Sequence, residues 1–342
     1  GLVWELASIA TTVMAWELMV SEPAMSAAWT LSIWIAVSST LLSLTLARYL
    51  TGWLWDTPGS GQLQLILAVP HGAVALGLLW LIAPSGLVMR WLAAPLGLHG
   101  PGDWSFPQDP WGLGLIVALT LKETIFLTIM ALAVLARLPD RAQALHAASL
   151  GWSRQRYFHT GLWPQVRQRL TAPILVVFAF GLTNLELSII LAPDVPGTVA
   201  PRLYRLITDA DPDRRAAGAV GAIGLFLATL AVSAIFVIGQ RSFEAFQRRR
   251  LRPSVPSPWL AAGVRALLVG SGMAWIGVVA SLFLWAVAGL WPFDQPWPML
   301  DLPRTLDRLV RMWPAVTDTL LVGLVTASLA LMAAIWVLES MA

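Results

Sequence analysis

The sequence predicts an all-α polytopic membrane protein, on three observations. Hydrophobic residues fill 57% of the 342 positions and charged residues 12%, whereas an average soluble protein carries about 25% charged residues. The apolar residues fall in runs of roughly 20, the length that crosses a hydrocarbon core about 30 Å thick. Arginines gather in short segments between those runs, as topology signals do. A soluble globular reading, about two domains by length alone, is therefore excluded.

Spans are expected at 30–49, 63–82, 112–136, 170–192, 216–238, 262–290 and 317–337, each able to cross with modest tilt. Six Arg between Arg137 and Arg169, and five between Gln240 and Arg252 including Arg248, Arg249 and Arg250, place both segments in the cytoplasm. The other connections then alternate. Segments 84–111, 193–215 and 291–314 lie outside, the last two mixing seven Arg with seven Asp. Glu5, Glu17 and Glu22 precede the first span with no basic residue, which fits an outside location.

Nineteen Trp against three Tyr suggest anchoring by indole at the interface. With no Cys, disulfides, thiolate catalysis and zinc–cysteine sites are excluded. The net charge of +3 comes from loop arginines and indicates no nucleic-acid role. Residue 1 is Gly and the chain stops as a span reaches the cytoplasm, so an excerpt of a longer protein is expected. A weak likeness between 30–39 and 319–328 fits duplicated halves, common in transporters.

The most informative stretch runs from Leu145 to Pro164. It reads as two short helices with a break. Gly151 can take a left-handed conformation and end the first helix, and Ser153 can cap the second. Phe158 is an apolar knob, and Pro164 limits the helix before the next span. Such a basic elbow suits docking into a groove on another protein.

Here the chain resembles importer-type ABC transporter permeases, whose EAA loop places Glu-Ala-Ala, three residues, a Gly and, twelve residues later, a Pro. Ala147, Gly151, Phe158 and Pro164 stand at matching positions, while Leu145 replaces the acid and His146 the first Ala. The likeness is closest to the fused twelve-helix iron- and thiamine-type permeases, on 69–71, 83–86 and 121–123 as well. The resemblance implies a type I importer transmembrane domain. Residues 1–258 would form a first half lacking its first helix, and 259–342 the start of a second. It also implies an ATP-binding subunit, in two copies and holding ATP and magnesium, seated on this loop. Further implied partners are an extracytoplasmic solute-binding protein and a second permease half, in a bacterial inner membrane.

Ionisable groups within spans are costly and face a partner or a wet cavity. Lys122 and Glu123 lie roughly 15 Å from the outer end of their span, and Asn184 and Glu186 roughly 9 to 12 Å from the outer end of theirs, at 1.5 Å per residue. A Lys122–Glu186 pair is the natural expectation. His71 follows Pro70, which would release a carbonyl and kink the helix inward. These five residues form either an interhelical polar clamp or part of a solute path.

The sequence has no Gly-x-x-x-x-Gly-Lys-Ser/Thr element, no His-Glu-x-x-His helix and no Gly-x-Ser-x-Gly elbow, so no catalytic residue is assigned. His71, His99, His146 and His159 are scattered across both sides and form no common metal site. Rival readings are a secondary transporter using Lys122, Glu123 or Glu186 as an ion or proton relay, and a membrane-embedded enzyme or scaffold.

Overall fold

The computed structural model describes residues 13–55, 63–138, 140–250 and 257–340, with the side chains of 140–143 and 240–250 outside that set. The described residues are helical apart from connections and one isolated bridge, Ala288 to Leu300. The protein is an all-α polytopic membrane protein. Six helical stretches are long and apolar enough to cross a bilayer, or seven if the pair Arg154–Arg169 and Thr171–Thr183, bent by 65°, is one crossing. Glu5 and the side chains of Arg248, Arg249 and Arg250, used for orientation, lie outside the described set.

Helix α1 (Met25–Leu54) and α5 (Leu113–Leu135) pack together at the centre of the larger compact unit, residues 1–89 and 101–282. Close approach is possible because α1 turns a stripe of small residues inward: Ala28, Ser32, Ala36, Ser39, Ser43 and Ala47 are all buried at helical spacing. Helix α9 (Thr171–Thr183) joins the same stripe, with Gly181 against Ala36; a Cβ there would sit 3.2 Å from the Ala36 Cα.

Two expected spans are broken. The second consists of α2 (Leu63–Ala68) and α3 (His71–Ile82), parted at Val69–Pro70. The fourth consists of α9 and α10 (Glu186–Leu191), parted at Asn184. Helices also appear where loops were expected: residues 13–21, α4 (Leu87–Leu96) and the strongly amphipathic α11 (Val199–Ile207). In the segment expected to face the cytoplasm come α6 (Asp140–Ser149), α7 (Arg154–Tyr157), a π turn (Phe158–Leu162) and α8 (Trp163–Arg169). Of the late spans, α12 (Pro212–Arg250) and α14 (Leu302–Ser340) extend past both expected ends, while α13 (Pro258–Val287) starts four residues before its expected start and stops three residues short of its expected end. Most of their apolar side chains are exposed, as suits surfaces that meet lipid or other helices.

A second compact unit contains 90–100 and 283–342. This division differs from the halves expected at 258/259. A sequence repeat and a packing unit answer different questions, and the halves stay an expectation.

Candidate functional site: a charged helix break and a basic elbow

Proline 70 has no N–H, so the helix starting at Leu63 cannot run on through it without losing a hydrogen bond. The break leaves carbonyls without helical partners inside the membrane. Val69 N reaches back to the Ile66 carbonyl at 3.3 Å. The carbonyls of Leu67 and Val69 each accept a hydrogen bond from Lys122 Nζ, at 2.8 and 2.5 Å. Lys122 is 1% exposed. The expected Lys122–Glu186 pair is not formed: a backbone opened by proline presents two oxygens nearer the ammonium than any carboxylate.

The amide end of the break carries the opposite charge. Glu123 Oε1 lies 3.5 Å from His71 Nε2, and the His71 ring packs on Phe180 with centroids 4.7 Å apart. The Glu186 carboxylate sits against Gly72, where a Cβ would come within 2.2 Å of Oε1. Only glycine at 72 leaves room for it. Cation at the carbonyl end and carboxylates at the amide end is the arrangement the helix dipole favours, worth about 0.3–1 kcal/mol each at exposed sites and up to about 2 when partly buried. Lys122 and Glu123 point in different directions on α5, and for that reason can serve the two sides of one gap.

Asn184 marks the second break. Its backbone is extended and its Oδ1 accepts from Leu187 N at 2.8 Å, satisfying an orphan donor at the start of α10. Thus four residues singled out in the sequence, His71, Lys122, Glu123 and Glu186, converge on the Val69–Pro70 break, while Asn184 serves the neighbouring one. The Leu67 and Val69 oxygens and Gly72 were not foreseen; Pro70 was their only signal. Among the described residues no group of three or more His, Asp or Glu could hold a metal ion.

The elbow has the expected break. Helix α6 ends at Ser149, Gly151 adopts φ 75°, and Ser153 Oγ caps α7 by accepting from Arg156 N at 3.2 Å. Two expectations are corrected. Phe158 is fully buried rather than an outward knob; its ring fills the hollow over Gly52, where a Cβ would sit 2.7 Å away, and stacks against Trp55. Pro164 lies in the first turn of α8, where the missing N–H is harmless, so it starts a helix instead of limiting one.

The inner side of the elbow is fastened to the end of α1. Arg48 Nε donates to His159 Nδ1 at 3.1 Å, Gln155 Nε2 donates to the Gly52 carbonyl at 3.3 Å, and the Arg154 guanidinium lies over Trp55. Burial, and then the nearby Arg48 charge, lower the His159 pKa to about 4. These α1 contacts had no sequence signal beyond a basic residue near a span end. The outer side is free of such contacts: Leu145, His146, Leu150 and Gly151 are exposed, Leu145 by 70% and Leu150 by 61%, while Ala147 is buried.

Comparison with known sequences gives one informative likeness. Over 226 residues, 65% of this chain, the sequence is 28% identical to the inner membrane ABC transporter permease protein YnjC of Escherichia coli (strain K12). The matched region spans 42% of that protein, so less than half of its length is represented. No family model matches the chain. With six or more helices able to cross a bilayer, the likeness identifies a multi-pass inner-membrane protein.

Proposed function

We propose that the chain is the membrane-spanning permease subunit of an ATP-driven ABC importer, and that the segment from Leu145 to Pro164 is its docking elbow for a separate ATP-binding subunit. The likeness to an ABC permease supports the class. The observation that carries the docking assignment is the division of the elbow into two faces. Phe158, Tyr157, Leu162 and Trp163 lock one face into the core, and Leu145 and Leu150 leave the other apolar and open on either side of Gly151. With Leu145 where the resembling loops carry an acid, contact with the ATPase is apolar rather than ionic. ATP and magnesium belong to the partner, and solute arrives from an extracytoplasmic binding protein.

Copurification with the cognate ATP-binding subunit tests this reading. Leu145→Asp with Leu150→Asp should abolish capture of that subunit while the chain still inserts. Gly151→Val forces a β-branched residue into a left-handed conformation and should uncouple hydrolysis from uptake. Full ATPase capture by the Asp double variant, or full coupled uptake by the Val variant, would remove the docking role.

A further inference from the structure

The charged break holds one carboxylate that packing alone does not explain. Lys122 and Glu123 are the tenth and eleventh of the 23 residues of α5, so the break they serve lies near the middle of that crossing, about 14 Å from its outer end. Glu186 is held at this level by Gly72, two residues past Pro70. All of these residues belong to the larger compact unit.

Burial divides the charged groups into two kinds. Lys122 is 1% exposed and directs its ammonium to the Leu67 and Val69 carbonyls. The Glu123 side chain is 9% exposed and faces His71, whose side chain is open by 30%. Glu186 is exposed and, among the described residues, has no ion-pair partner. In α10 it shares an open face with Ile189, three residues on and 58% exposed.

A carboxylate turned to hydrocarbon is costly, and ionisable groups at this depth meet a partner or a wet cavity. The break sets two carboxyl groups at its amide end against a single ammonium, already bound at the carbonyl end. The dipole of α3 supplies only about half a unit of positive charge there. What remains suits a cation. A second observation points to a ligand at this place. Thr120, one turn before Glu123 on α5, is 8% exposed, and its Oγ1 has no hydrogen-bond partner among the described residues. A hydroxyl so placed can donate or accept as a bound group requires.

We propose that Glu186 is the charge-selecting residue of the solute path and that the solute passes it bearing positive charge. The proposal rests on the permease reading, since a solute path is what gives an exposed carboxylate at this depth a use. Among the described residues no group of three or more His, Asp or Glu could hold a metal ion, so Glu186 acts by attraction rather than by coordination. Clefts lined by one sign of charge between low-dielectric walls raise the local concentration of the opposite ion by about tenfold or more.

The chain has no Cys, so a single thiol can report the charge at this face. Ile189→Cys would be introduced into the full chain. Right-side-out vesicles without a membrane potential would then be treated with two small methanethiosulfonates, one ending in trimethylammonium and the other in sulfonate. The ratio of the two reaction rates, divided by the same ratio for a small free thiol in buffer, should exceed unity by about tenfold. Glu186→Gln should bring that quotient close to unity, and Glu186→Asp should keep most of it. A quotient at or below unity with Ile189→Cys alone overturns the proposal, whether or not Glu186→Gln folds. Absence of reaction with both reagents also overturns it, because the face then meets lipid or protein. A high quotient unchanged by Glu186→Gln removes the role from Glu186. Capture of the ATP-binding subunit plays no part in these rates, so loss of the permease reading and loss of charge selection are told apart.

Discussion

Lys122 Nζ lies 2.5 Å from the carbonyl oxygen of Val69, two residues before the His71 ring that faces Glu123. A side chain of one span thus occupies the gap in another. Removing a partner from a buried polar group costs about 1–3 kcal/mol, and more when charge is involved. Lys122→Met should therefore lower the midpoint of thermal unfolding in detergent by several degrees and reduce the yield of folded protein.

If the ammonium belongs to the break rather than to Glu186, the variants Lys122→Met and Glu186→Gln act independently. Their losses in unfolding free energy should add to within about 0.5 kcal/mol. Recovery of stability in the double variant, measured in the same melts, would restore the direct pair.

Glycine 72 gives room to the Glu186 carboxylate, so Gly72→Ala should displace it. The expected result is a destabilisation of about 1–3 kcal/mol, largely relieved by Glu186→Ser in the same chain. Equal melting of Gly72→Ala and the parent would show that the carboxylate moves freely.

Phenylalanine 158 fills the hollow over Gly52, and its truncation leaves a cavity. Phe158→Ala should cost about 3–5 kcal/mol. Gly52→Val should destabilise by overpacking the same place, and the two changes together should be less harmful than their sum. Additive losses in a double-mutant cycle would indicate separate sites.

Histidine 159 is held neutral, its Nδ1 accepting from Arg48. Its pKa falls from 6.5 in the unfolded chain to about 4 when folded. Above 6.5 both states are neutral and the site's stability is fully present. As pH drops from 6.5 toward 4 only the unfolded state gains a proton, and on the order of 2–3 kcal/mol is lost. Thermal melts between pH 7.5 and 4.5 should show this decline in the parent and a flatter one in His159→Gln.

The sequence made the crossings legible because runs of about 20 apolar residues have few uses outside a bilayer. It also brought His71, Lys122, Glu123 and Glu186 forward, since charge in a span demands a reason. It did not reveal their partners, because the oxygens of Leu67 and Val69 belong to backbone, and every residue type carries the same backbone carbonyl. Phe158 was misplaced for a related reason: an aromatic in a basic loop looks outward in sequence, and only the hollow over Gly52 shows where it goes. Helix α4 was hidden by Pro84, Gly86 and Pro95, which read as loop although Pro95 sits inside a helix. The exposed Leu145 and Leu150 took on meaning once the inner face of the elbow was accounted for.

The charge-filled break also constrains the order in which the protein can be completed. Val69 and Lys122 are 53 residues apart, an interval of about 3–10 s of synthesis at 5–20 residues per second. During that time the segment 63–82 has left the ribosome with its gap unfilled. Water or the insertion machinery must serve the two oxygens until α5 arrives, so the second crossing matures only when the third is in place, and a nascent chain stopped before residue 122 should present that segment to the membrane without settling in it.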